Sequence, residues 1–141
     1  MTRRPAAGDP RDRGSVAVEF ALLLPILLLL IFGVVDFGRA IDAQITLTQA
    51  AREGARLAAL GQSNSTVVTR AQAAATGLSP VTVSVTSTCP VNAGAGVDAV
   101  VQTSYSFSFI TPVGAVAALF GGAGYGSSLT LTAQGEMPCE T

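Results

Sequence analysis

Residues 13–42 read RGSVAVEFALLLPILLLLIFGVVDFGRAID, and the fold follows from how this stretch handles charge. No charged residue occurs from Phe20 to Val35, and extending back to Ser15 adds only Glu19. At about 1.5 Å of helical rise per residue, Ser15 to Val35 reaches across the roughly 30 Å hydrocarbon core of a bilayer. Ahead of Gly14 stand Arg3, Arg4, Arg11 and Arg13 against Asp9 and Asp12. Beyond Val35 the balance is acidic, with Asp36, Asp42, Glu53, Asp98, Glu136 and Glu140 against Arg39, Arg52, Arg56 and Arg70. Positive flanks stay in the cytoplasm, so residues 1–14 are expected inside and everything after Val35 outside. A cleaved secretory signal is the competing reading. Its apolar region should run about 7–15 residues and lead into a small-residue cleavage site. Here the run is longer, contains Glu19 and Pro25, and leads into Val35, Asp36 and Phe37, so a retained membrane helix is expected.

Composition narrows the chemistry. The 141 residues are 49% hydrophobic, with 8 basic residues, all arginine, 9 acidic ones and no histidine, for a formal net charge of −1. Without lysine or histidine there is no Schiff-base chemistry, no imidazole acid/base catalysis and no His-ligated metal site. The weak net charge also lacks the electrostatic footprint of a nucleic-acid binder. Neither a cofactor, a metal nor a nucleic-acid partner is expected. GGAGYG at 121–126 precedes a strand instead of opening a helix, unlike a dinucleotide-binding turn. Asn64, Ser65 and Thr66 match a glycosylation acceptor by pattern only. Asp98, Glu136 and Glu140 read as solvated surface acids.

Past the membrane the helical pattern continues to Leu60, with Phe37, Ile41, Ile45, Thr48, Ala51, Ala55 and Ala58 on one stripe and Gly61 as a C-cap. Asp36 with Arg39 and Glu53 with Arg56 sit three apart, able to meet on the solvent face. A helix from Ser15 to Leu60 is about 70 Å long, a stalk whose thin, alanine-rich stripe suits either another helix or the chain's own outer domain. Ser65–Ala75 reads as a second helix with Ser65 as N-cap, ended by Gly77. Alternation marks strands at 81–89, at 105–110 after VDAVVQTS, and at 129–134. Val113 to Phe120, inside a Pro/Gly-bounded insertion, fits a short helix or an apolar loop equally. Cys89 closes the first strand and Cys139 trails the third. In an up, down, up meander both lie at one end of the sheet, so a Cys89–Cys139 disulfide is expected outside the cytoplasm, in preference to free thiols.

The boundary of the span is the most specific feature. Gly14 ends a basic leader, Glu19 would be the fifth residue of a chain starting at Ser15, and an apolar helix follows. This resembles the processing site of type IV pilin precursors, in which a prepilin peptidase cuts on the cytoplasmic side and leaves the helix in place. The resemblance implies cleavage between Gly14 and Ser15, with the new amino group of Ser15, on its own or a neighbouring subunit, neutralising Glu19. The longer string over residues 13–56 narrows it. AVEFALLLP with Pro25, the FG and FGR at 32–39, and AAREGAR at 50–56 resemble the TadE-like domain of minor pilins or pseudopilins in the tight adherence (Flp) pilus system. Ser15 departs from pilins that begin with an aromatic residue, which leaves N-methylation open. Pro25 should kink or loosen the span, Gly33 and Gly38 permit close helix contact, and Asp36 and Arg39 mark the outer membrane boundary.

The expected fold class is therefore α+β: a leader at 1–14, a transmembrane helix and stalk at 15–60, and an extracytoplasmic domain at 61–141 with a short helix and about three antiparallel strands. The expected protein is single-pass in the plasma (inner) membrane, N-terminus cytoplasmic, and not an enzyme. The resemblance implies a minor pilin or pseudopilin assisting assembly of a Flp-type pilus or its secretion apparatus, possessing as partners membrane lipid, prepilin peptidase, major and minor pilin subunits and the inner-membrane assembly platform. The alternative is a membrane-anchored binding module that never enters a filament.

Overall fold

In the computed structural model, which describes residues 10–90, 96–110 and 128–139, the apolar stretch and its continuation form one helix, α1 (Pro10–Ala59), of 50 residues. It runs through Pro25 without interruption. A Schellman pair ends it: Gln62 N donates to Leu57 O (3.1 Å) and Gly61 N to Ala58 O (3.1 Å), with Gly61 at φ +70°, a conformation glycine adopts without steric cost. The chain then turns back as α2 (Asn64–Ala74). Its N-cap is Ser63, two residues earlier than the sequence pattern indicates. The Ser63 hydroxyl accepts from Thr66 N and also contacts the Ser65 and Thr66 hydroxyls. A run of four small polar residues offers several competing caps. Ala75 is the C-cap, ahead of Gly77.

Three strands follow, β1 (Val81–Ser87), β2 (Asp98–Phe107) and β3 (Leu129–Pro138), in an antiparallel meander ordered β1-β2-β3. The second strand begins at Asp98, so VDAVVQTS is largely strand and not its preface, and it stops at Phe107 instead of Ile110. The third continues four residues past Gln134 because Gly135, Glu136, Met137 and Pro138 pair with Val101, Val100, Ala99 and Asp98. Cross-strand partners extend these strands beyond what alternation alone marks. The Val113–Phe120 segment and GGAGYG lie outside the described residues.

The sheet packs one face on α1 and α2. Inward positions Val81, Ala99, Val101, Thr103, Phe107, Ala133 and Gly135 are buried, as are Ala43, Leu47, Ala50, Ala51, Gly54, Ala55 and Ala58 of α1 and Val67, Ala71 and Ala75 around α2. The outward face is Ser-, Thr- and Gln-rich. The alanine-rich stripe is thus covered by the chain's own domain, and α1 beyond Asp36 is a core helix, not a bare stalk. The stripe also rotates from its expected position. Phe37, Ile41 and Ile45 are exposed, while Ala43, Leu47 and Ala50 take the buried face, because the small side chains let helix and sheet approach closely. Two contacts set that approach: Gly54 lies under Val101, and Gly135 lies against the Ala51 carbonyl. Thr103 fastens the middle of the interface, its hydroxyl donating to Leu47 O (3.1 Å), with Ala133 O at 3.4 Å.

Cys89 and Cys139 form a disulfide with a Cα–Cα distance of 5.6 Å, at the end of the sheet expected from the meander. It closes a separation of 50 residues, worth about 4 kcal/mol in the chain-entropy account. Among the described residues, nine of the fourteen buried apolar ones are alanine, and each buries too little area to replace such a crosslink. Replacing both cysteines by serine is expected to lower the unfolding free energy of the outer domain by about 3–4 kcal/mol. Denaturant unfolding of the full chain in detergent, followed by circular dichroism, checks this; a midpoint unchanged from wild type would contradict it.

Candidate functional site: the leader junction and the membrane exit

Two places on α1 carry the residues of interest. At its start, Gly14 and Ser15 lie within the helix, exposed, with nothing within 4 Å of a Cβ placed on Gly14. Glu19 is exposed on the same helix. Its helical neighbours three and four residues away are Ser15, Val16, Leu22 and Leu23, none of them a cation. Placed within lipid, a carboxylate here would have to find its counter-charge beyond these neighbours. Pro25 stands in the exposed part of the span, and a Cβ on Gly33 or Gly38 would likewise meet only open space. The 18-residue apolar window of this helix is 0% buried in the chain.

The second place lies where α1 leaves the apolar stretch. Asp36 is 2% exposed, not on the solvent face as its spacing from Arg39 implies. Its Oδ1 accepts from Arg39 Nη1 at 3.0 Å and from the backbone N–H of Ile110 at 3.3 Å. Arg39 in turn stacks over Phe107, 5.1 Å from the ring centre, and Phe107 meets Phe109 edge-on at 5.4 Å. A buried carboxylate needs charge-assisted partners, and here the domain supplies them. The bottom of β2 is thereby pinned to the first turn of α1 past its apolar stretch. Phe107, Phe109 and Ile110 were not singled out from sequence; the aromatic alternation of YSFSFI ahead of Pro112 was the available signal. Asp36→Ala is expected to cost about 2–3 kcal/mol, the lower range for a pair whose arginine is half exposed, and to raise amide exchange at Ile110 selectively. Unchanged exchange there would contradict the pinning.

Higher on α1, Glu53 is paired with Arg56 (3.6 Å) and Arg70 (3.3 Å), the latter on α2. Both arginines are largely exposed, so these pairs contribute little. Arg52 is exposed. Of the acids considered from sequence, Asp98 stands opposite Pro138, Glu136 accepts from Gln134 Nε2 at 2.9 Å, and Glu140 lies outside the described residues.

An N-terminal helix with one stretch long and apolar enough to cross a bilayer, followed by a small α+β domain, is the form of a single-pass membrane protein. The family model described as TadE-like protein matches residues 14–56, so the similarity lies within α1. The match starts at Gly14 and ends within α1, before the sheet begins. Neither the curated proteins nor the solved structures contain a match to this chain.

Proposed function

We propose that this chain is a minor pilin or pseudopilin that assists assembly of a tight adherence (Flp-type) pilus or its secretion apparatus. The carrying observation is the TadE-like match over residues 14–56, together with Gly14, Ser15 and Glu19 at the head of a span that the outer domain leaves uncovered. In this reading the leader lies in the cytoplasm and the domain outside. A prepilin peptidase cuts between Gly14 and Ser15, removing the leader arginines. The new Ser15 amine of a neighbouring subunit pairs with Glu19, because a carboxylate within lipid is tolerated only when its charge is met. Gly33 and Gly38 let neighbouring helices approach, and Pro25 supplies local freedom in the span. Major and minor pilin subunits and the inner-membrane platform are the partners, and the subunit resides in the membrane or in the pilus.

The competing role is a membrane-anchored binding module outside any filament. Deleting the chain from its host and scoring surface pili by electron microscopy separates the two. Loss of pili, restored by the wild-type chain, supports the assembly role. Normal pili in the deletion strain would overturn it.

A further inference from the structure

The end of the sheet nearest the apolar stretch is unlike the rest of the domain surface. Ile110 is 73% exposed, Phe37 68%, Leu129 48% and Phe109 39%, while the outward face of the sheet is Ser, Thr and Gln. Leu129 stands opposite Phe107, and the Phe109 ring touches that of Phe107, so these apolar groups belong to one edge. No Asp, Glu, Lys or Arg occurs between Asp98 and Glu136 in the sequence.

The height of this edge identifies what covers it. Asp36 is the first charged residue after Val35, which puts it within about 2 Å of the hydrocarbon boundary if residues 15–35 fill the bilayer core. The Ile110 amide is 3.3 Å from that carboxylate. The headgroup layer is roughly 5–8 Å deep, so Phe109 and Ile110 fall inside it. Arg39, with 41% of its side chain exposed, stands at the same level, where a guanidinium can snorkel to lipid phosphate. Phenylalanine and isoleucine beside an arginine at this depth are what an interfacial contact requires.

We propose that the membrane-proximal edge of the sheet, through Phe109 and Ile110 flanked by Phe37 and Leu129, rests in the headgroup layer of the same bilayer that α1 crosses. The domain then meets the membrane twice, through the helix and through this edge, and its tilt is set before any partner arrives. Extraction of the subunit requires this edge to leave lipid along with the helix. The inference rests on the reading that residues 15–35 span the bilayer.

The chain contains no tryptophan, so single substitutions report position without background. Full-length Ile110→Trp and Phe109→Trp are reconstituted in phosphatidylglycerol/phosphatidylethanolamine vesicles with and without lipids brominated near the top of the acyl chains. Leu27→Trp marks the span, and Leu60→Trp marks the far end of the domain. Ile110 is exposed enough to accept tryptophan without repacking, and it decides the result if Phe109→Trp perturbs its aromatic contact. Expected are blue-shifted emission and loss of most fluorescence to bromolipid at Ile110→Trp, with Leu60→Trp unquenched. Quenching at Leu27→Trp without quenching at Ile110→Trp would overturn the edge contact while leaving the span intact. Blue-shifted but unquenched emission at Ile110→Trp would also overturn it, in favour of a protein cover. Absence of quenching at Leu27→Trp would remove the span and the proposal together.

Discussion

Gly135→Ala is expected to destabilise the outer domain by about 3 kcal/mol or more, at the upper end of overpacking costs. Gly135 sits on β3 where α1 crosses it, opposite Val101 of β2. An added Cβ would collide with the Ala51 carbonyl and stand 2.7 Å from the Arg52 nitrogen. Both are backbone atoms of a long helix, so relief requires moving helix from sheet and loosening the neighbouring contacts of Leu47, Ala50 and Ala133. The same substitution at Gly54 should behave differently. There a Cβ would meet Val101 Cγ1 at 3.0 Å and Ala71 Cβ at 3.2 Å, both side-chain atoms, and alanine gains up to about 1 kcal/mol of helix propensity over glycine. Gly54→Ala is therefore expected to stay within about 1 kcal/mol of wild type. Paired denaturant titrations of the two variants decide the matter; equal midpoints would show that the helix–sheet crossing is not as tight as described.

Glu19→Ala is expected to carry the largest functional effect: normal membrane insertion, normal leader removal and loss of surface pili. Replacing the carboxylate removes a desolvation cost of up to about 2.5–3.5 kcal/mol, so insertion should not suffer. What is lost in the proposed assembly is the only charge within the apolar stretch able to meet a neighbouring Ser15 amine and fix how far one helix slides along the next. Glu19→Gln should fail in the same way, since a neutral amide cannot replace the ion pair, whereas Glu19→Asp should retain partial assembly. Counting pili per cell alongside membrane fractionation checks this. Wild-type piliation in Glu19→Ala would leave the carboxylate without a role and favour the binding-module reading.

The long helix was legible from charge alone, because an uncharged stretch of that length has few alternatives. The strands were legible where Thr and Ser alternate with Val, as in VTVSVTS, and less so in β2 and the end of β3. There Asp98, Ala99, Gly135 and Pro138 are poor strand formers held by pairing across the sheet. The disulfide followed from the meander. The rotation of α1 did not follow, since Ile41 and Ile45 are larger and more apolar than Ala43 and Ala50. The helix nevertheless buries the alanines, because Gly54 and Gly135 permit an approach that bulky side chains would prevent. Asp36 was misplaced for a related reason: spacing shows that it can reach Arg39, but not that the end of β2 arrives above it and brings the Ile110 amide. Gly14, Ser15 and Glu19 are legible by pattern alone, and in the proposed assembly their chemistry depends on a neighbouring subunit's helix.

The central claim is that a cut after Gly14 creates the amine that Glu19 requires. N-terminal sequencing and intact mass of the chain purified from membranes and sheared pili of its host test it directly. A start at Ser15 is the result this account predicts. A chain retaining its arginine leader in cells with normal pili would contradict it, and so would a start well beyond the span.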